Sequence, residues 1–340
     1  MTRWVAMVAL AVLTLAAPIP TASPTPTASP TPTASSTPRS FQADQVVGNG
    51  TASTCTSAAV VRAVRRGGVI RFDCGPTPVT IVMTQTAEVL NTSERVVLDG
   101  GGLVTLSGGG ERRILRQDTC DETLIWTTDH CDDQATPRLV IKNLTLRDGY
   151  ANSSDLAEGS GGAVSVRGGR LRIVNSHFVD NRCTATGPDV GGAAVRVLDQ
   201  HLDRPVIVRR STFTGGVCSN GGALSSIGVS WRIVDSTFTG NKAIGQGANP
   251  AQPGTPGGGS GGAIYADGNT FHVRITDSKI VGNRADEGGG AVFFVSNDRT
   301  GTLAIDSSVL RRNPSLGFEN FPGIFFLGQG RPQFTASVVR

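Results

Sequence analysis

Few residues in this chain are placed to do covalent chemistry, and the best set is Asp148, Asp180 and Arg147. Hydrolysis of a glycosidic bond needs an acid paired with a base or nucleophile. A polysaccharide lyase instead commonly uses Ca²⁺ held by acids together with an Arg or Lys base. Two neighbouring carboxylates with an arginine beside them would suit either chemistry, because like charges at short range raise one pKa. The competing reading makes both aspartates turn residues that bond backbone N–H groups. A second set, Arg172, Arg232 and Arg274, is of the type that contacts acidic sugars, against the alternative of a solvated face. Other motifs lack their context. Gly258 to Gly262 spells GxSxG inside a Pro- and Gly-rich stretch, where no nucleophile elbow forms. His130, His177, His201 and His272 are scattered, and Asp132 and Asp133 stand in a cysteine-bounded loop. No metal site and no cofactor are expected, and Ca²⁺ enters only with the lyase reading.

These residues are grouped by an internal repeat. An eleven-residue unit recurs six times: LVIKNLTLRDG from Leu139, LRIVNSHFVDN from Leu171, VIVRRSTFTGG from Val206, WRIVDSTFTGN from Trp231, VRITDSKIVGN from Val273 and LAIDSSVLRRN from Leu303. Asp148 and Asp180 share position ten of consecutive copies, and Arg172, Arg232 and Arg274 share position two. Positions one, three and eight are apolar. That breaks strict strand alternation, so the chain must bend between positions three and eight, where Asn143, Asn175, Asp235 and Asp277 stand at position five. Gly-Gly-Ala recurs between copies, at Gly161 to Ala163, Gly191 to Ala193, Gly221 to Ala223, Gly261 to Ala263 and Gly289 to Ala291, usually before a further alternating strand. A chain that turns at the same place in each copy and returns after 25 to 42 residues is a coil of stacked strands. This spacing predicts an all-β fold, a parallel β-helix. Asn181, Asn241, Asn283 and Asn313 at position eleven would then form a ladder that satisfies bend amides.

Six cysteines follow what reads as a secretory signal peptide over residues 1–17, and an even count there suits disulfides. Proximity pairs Cys55 with Cys74 and Cys120 with Cys131. Register pairs Cys183 with Cys218, since each lies five residues after the position-eight Phe of consecutive copies. Residues 18–40 form a Pro/Thr/Ser-rich linker, and residues 41–340 form the β-helix domain, with repeats over about 139–313. An amphipathic helix over about 55–66, stopped by Gly67 and Gly68, would cap the open end of the solenoid. Charged residues are only 17% of the chain and the net charge is +4, which argues against nucleic acid as a partner. No transmembrane domain is expected in the mature chain.

Gly-Gly-Ala followed by Ile or Val, alternating with FxxN at Phe178 to Asn181 and Phe238 to Asn241, resembles the polymorphic outer-membrane-protein type of repeat. From Cys55 onward the chain also resembles secreted bacterial right-handed parallel β-helix proteins of the pectin-lyase-like superfamily. That group includes lyases, hydrolases, epimerases and non-catalytic adhesins, so the resemblance implies a fold more sharply than an activity. The expectation is a secreted or cell-envelope bacterial protein, a monomer, that binds polysaccharide or a cell or matrix surface without catalysis. A polysaccharide lyase or glycoside hydrolase acting through Asp148, Asp180 and Arg147 is the alternative, and a purely structural surface module is a third. The stretches Thr119 to Ala135, Gly187 to Val190 and Gln246 to Ser260 would favour the enzyme if they walled a cleft around the acids.

Overall fold

The computed structural model describes residues 43–125, 127–153, 155 and 158–340; the signal segment and linker lie outside the described residues. Three parallel sheets wrap one core. In the broad sheet, two rows of strands meet at a bend: Arg170–Val174 with His177–Val179, Val206–Arg209 with Thr212–Thr214, Trp231–Val234 with Thr237–Thr239, His272–Thr276 with Lys279–Val281, and Thr302–Asp306 with Val309–Arg311. The second sheet stacks Leu115–Asp118, Val164–Arg167, Val195–Leu198, Leu224–Ile227, Ile264–Gly268, Val292–Ser296 and Ile324–Leu327. A narrow third sheet stacks Tyr150–Ala151, Arg182–Cys183, Val217–Cys218, Lys242–Ala243 and Arg284–Ala285. Each repeat is therefore one coil of a parallel β-helix with four short strands, two more than the repeated unit alone contains.

Apolar residues stack on their equivalents because parallel register puts the same position of each copy in one column. Phe178, Phe213 and Phe238 overlap with ring centroids 4.8 and 4.7 Å apart. The narrow sheet leaves room inward only for small side chains, Ala151, Cys183, Cys218, Ala243 and Ala285. One Gly-Gly-Ala copy is displaced. Val195 pairs with Val164 and Leu224, so Gly192-Ala193-Ala194 occupies the place that the spacing predicts for Gly191 to Ala193.

Both bends in the unit require left-handed backbone. At position five Asn143, Asn175, Arg210, Asp235, Asp277 and Ser307 have φ between 48° and 51°, and at position ten Asp148, Asp180 and Arg312 have φ between 50° and 53°. Asn and Asp tolerate this region better than other side chains, and Gly215, Gly240 and Gly282 fill position ten in the intervening coils. Each bend also leaves a buried N–H without a strand partner, and the next coil supplies one. The Ser176 N–H donates to Ser211 Oγ (3.2 Å), Ser211 to Ser236 (3.2 Å), Ser236 to Ser278 (3.1 Å) and Ser278 to Ser308 (3.0 Å). Each of these hydroxyls in turn donates to the carbonyl two residues earlier. At the second bend, Asn181 accepts from the Gly149 N–H (2.8 Å), Asn241 from Gly216 (3.0 Å), Asn283 from Asn241 (3.0 Å) and Asn313 from Asn283 (3.0 Å).

The cap helix runs Ser57–Arg66, with the Thr56 hydroxyl accepting from the Ala59 N–H and Gly67 ending it at φ 74°. Val60, Val61, Ala63 and Val64 are buried in the same cluster as the first coils. Cys55 bonds to Cys74, Cys120 to Cys131, and Cys183 to Cys218, whose Cα atoms lie 4.7 Å apart one coil above the other. At the other end, Ile324–Leu327, Gln333–Thr335 and Val338–Val339 complete a further coil.

Asn241→Ala would strand the Gly216 N–H and the Phe213 carbonyl, and should lower stability in urea unfolding by about 2–4 kcal/mol. A loss below about 1 kcal/mol would show that the ladder is dispensable. Asp180→Gly, by contrast, relieves a left-handed side chain and should leave the melting midpoint unchanged or raise stability by up to about 1 kcal/mol.

Candidate functional site

Asp148 and Asp180 stand at the second bend of adjacent coils, because Arg147 pairs with Val179 and Val179 with Thr214. Their N–H groups donate to the Val179 and Thr214 carbonyls (3.1 and 2.9 Å). Both aspartates line a groove of about 830 Å³ with Tyr150, Arg182, Val217 and Ile244. The carboxylates lean apart, however. Asp148 Oδ2 accepts from Arg147 Nε (2.8 Å) and from Ser107 Oγ on the preceding coil (3.4 Å), whereas Asp180 Oδ1 fills the space above Gly215 on the following coil. Stacking makes the two residues neighbours in adjacent coils, with the Asp148 carboxylate bonded towards the preceding coil and that of Asp180 leaning towards the following one. Arg147 is committed to Asp148 in an ion pair.

The three long stretches divide between two corners. Residues 187–190 and 246–258 meet over the second sheet, where the Gly187 N–H donates to the Gly257 carbonyl (3.2 Å) and Asn249 reaches Asp189. Of the first stretch, residues 131–133 meet residues 201–203 elsewhere on the surface, where the Leu202 N–H donates to Asp133 Oδ1 (2.7 Å). Neither group walls the Asp148 and Asp180 bend, although Ala185 and Ile244 border the groove.

The broad sheet carries the arginines. Position two faces outward because positions one and three enter the core, and register places Arg172, Ile207, Arg232 and Arg274 in one column. Arg138 pairs with Arg170 beside it, Arg204 lies close enough to act on Arg170, and Arg209 adds another cation. Burial, Arg204 and Arg138 together hold the Arg170 guanidinium below its ordinary pKa. Among the described residues none of these seven arginines forms an ion pair. Two shallow depressions lie on this face. One is bounded by Asp203, Trp231, Arg232, His272 and Arg274, the other by Arg172, Ile207, Arg209, Arg232 and Val234.

A further cluster lies outside every sequence motif. Arg196 faces out of the second sheet between core residues Val195 and Val197, yet is only 2% exposed, because the 184–192 and 244–260 segments cover it. Its Nη1 donates to Ser225 Oγ, while Nε has no partner. Desolvation lowers its pKa, opposed by Tyr265, Asp189 and Asp267. Tyr265 is fully buried, which pushes its phenol well above the ordinary value, and burial raises the Asp267 carboxyl. The signal available in the sequence was an arginine and a tyrosine at outward strand positions followed or preceded by unusually long connections. Register puts Arg196, Ser225 and Tyr265 in one outward column, and the folding of the connections over the sheet adds Asp189 and Asn249.

Residues 235–267 match a family model described as the Chlamydia polymorphic membrane protein repeat. The matched stretch runs from the Asp235 bend, through Thr237–Thr239, Lys242–Ala243 and the long connection, into Ile264–Gly268. No curated protein and no solved structure matches the chain. This segment of the β-helix is thus similar to a repeat of bacterial membrane-associated proteins.

Proposed function

We propose that the chain is a bacterial β-helix secreted to, or held at, the cell envelope, where it binds acidic polysaccharide or a matrix surface and performs no chemistry. The observation that carries this reading is the face of seven arginines that, among the described residues, form no ion pair. Arg138 on Arg170 and Arg232 on Arg274 are direct neighbours at the inter-strand spacing of roughly 4.8 Å, where like charges repel, and a polyanion laid across them relieves that repulsion. Guanidinium groups also fork onto carboxylates or sulfates. A solenoid suits a polymeric ligand, since it repeats the same outward position at constant intervals over many coils. The basic and apolar start of the sequence, its Pro/Thr/Ser-rich spacer, and the similarity to polymorphic membrane protein repeats support an envelope or extracellular setting. The resemblance to the pectin-lyase-like superfamily supports a polysaccharide as ligand. The protein acts as a monomer and needs no cofactor.

The groove that contains Asp148 and Asp180 favours a second reading, a polysaccharide lyase or glycoside hydrolase. The divergence of the two carboxylates weighs against it. One experiment separates the readings: the purified protein is incubated with polygalacturonate, alginate, a sulfated glycan, a neutral glucan and duplex DNA, with and without Ca²⁺. Unsaturated products, reducing ends and bound protein are all recorded. Retention on the acidic glycans, falling steeply between low and high salt, is expected, together with a loss of about 10- to 100-fold in affinity when Arg172, Arg232 and Arg274 are all replaced by Ala. Equal binding to the neutral glucan, or tighter binding to DNA, would overturn the proposal. Products that vanish in Asp148→Ala or Asp180→Ala would establish the enzyme instead.

A further inference from the structure

The depression around Ile207 is ringed by cations. It has a volume of about 290 Å³ and is bounded by Arg172, Ile207, Arg209, Arg232 and Val234. Register sets its plan. Ile207 lies between Arg172 on the preceding coil and Arg232 on the following one, and Arg209 stands two residues further along the same strand, beside Val234. With strands roughly 4.8 Å apart and a rise of about 3.3 Å per residue, the Arg172 and Arg232 backbones lie about 9.6 Å apart and Arg209 about 6.6 Å from Ile207. Three exposed guanidinium groups therefore surround a half-buried apolar floor of Ile207 and Val234. Among the described residues none of the three forms an ion pair or a side-chain hydrogen bond. No carboxylate borders this depression, whereas Asp203 borders the neighbouring one.

We propose that this depression binds the monoester oxyanion of an esterified polysaccharide, a sulfate or phosphate group, in preference to a sugar carboxylate. The assignment rests on the reading of the arginine face as a polyanion site and names the group that the face selects. A carboxylate is planar and has two oxygens, which a single guanidinium fork satisfies, so two of the three cations would stay unused. A sulfate or phosphate monoester presents three terminal oxygens in a pyramid around its ester bond, one towards each guanidinium. The ester oxygen then points away from the sheet towards the sugar, and the group enters oxygens first over Ile207, where the apolar floor offers no competing acceptor. A phosphodiester has only two terminal oxygens and lacks this match. Ile207 interrupts the arginine column for the same reason: a fourth arginine at the centre of the ring would fill the space the oxyanion needs.

Binding of the purified protein to dextran sulfate, dextran phosphate and carboxymethyl dextran of equal charge density, with plain dextran as the blank, tests the assignment, because only the anionic group differs. At least one of the two monoester polymers should bind about tenfold more tightly than carboxymethyl dextran, and the tighter of the two identifies the group. Arg209→Ala should reduce that preference to less than about threefold. Arg138→Ala removes the same charge from the same face but outside the depression, so it should weaken all three charged polymers alike and leave the preference in place. Ile207→Arg adds a charge yet fills the site, and should tighten carboxymethyl dextran while reducing the preference. A melting profile for each variant checks that the fold is intact. Equal binding of the three charged polymers, or a preference that survives in Arg209→Ala, would overturn this assignment and leave the polyanion reading standing. Binding to the charged polymers no tighter than to plain dextran would overturn both.

Discussion

The structure depends on how it satisfies the backbone at its bends. Every coil turns twice within eleven residues, and each turn removes a buried N–H from the strand ladder. Leaving one such group unpaired costs about 1–3 kcal/mol, and with six copies the total would approach the whole stability of an ordinary domain. The chain meets this with side chains one coil away: serine hydroxyls at the first bend and asparagine carboxamides at the second. The solution works only if consecutive copies stay in register, so the hydrogen bonds that relieve the bends also fix the stacking of the phenylalanines and of Cys183 on Cys218. A single asparagine therefore supports two coils, which makes the fold strongly dependent on its neighbours along the axis.

Given that constraint, inward and bend positions have little freedom, and variation collects where the coil faces solvent. Position two holds Arg172, Ile207, Arg232 and Arg274 on the same column, and position ten accepts two aspartates, then three glycines, then an arginine, because the backbone requirement there is only a left-handed φ. Asp148 and Asp180 stand at two of these positions. Both meet a conformational demand that glycine meets elsewhere, and their acids diverge. Among the described residues the seven arginines grouped on the broad sheet form no ion pair, although Asp203 borders Arg232 and Arg274. Connections of unequal length supply the remaining individuality, and the longest, 244–260, creates a polar cluster by covering a sheet face that would otherwise be solvated.

Much of this was legible in the sequence because a solenoid converts linear spacing into spatial adjacency. Residues at one position of successive copies become neighbours roughly 4.8 Å apart, so the parallel coil, the asparagine column and the Cys183–Cys218 pairing followed from counting alone, while the cap helix followed from its amphipathic spacing and glycine stop. The serine column was visible as a pattern, but its inter-coil bonds were not, since the same serines would have suited a simple turn. The slip of one residue at Gly192-Ala193-Ala194 shows the limit of counting within a motif that can align two ways.

What the sequence by itself determined is everything governed by register: which residues stack, which face the core and where the chain bends. Tertiary structure alone decided side-chain direction and loop docking. Asp148 and Asp180 share a column, but only packing against Ser107 and Gly215 turns their carboxylates apart. Arg196 and Tyr265 share one outward column of the second sheet, through Ser225, but Asp189 and Asn249 come from connections that lie outside the repeat. They meet because the 187–190 and 246–258 stretches contact each other over the second sheet, an arrangement set by contacts between irregular chain segments, which carry no periodic signal from which it could be read.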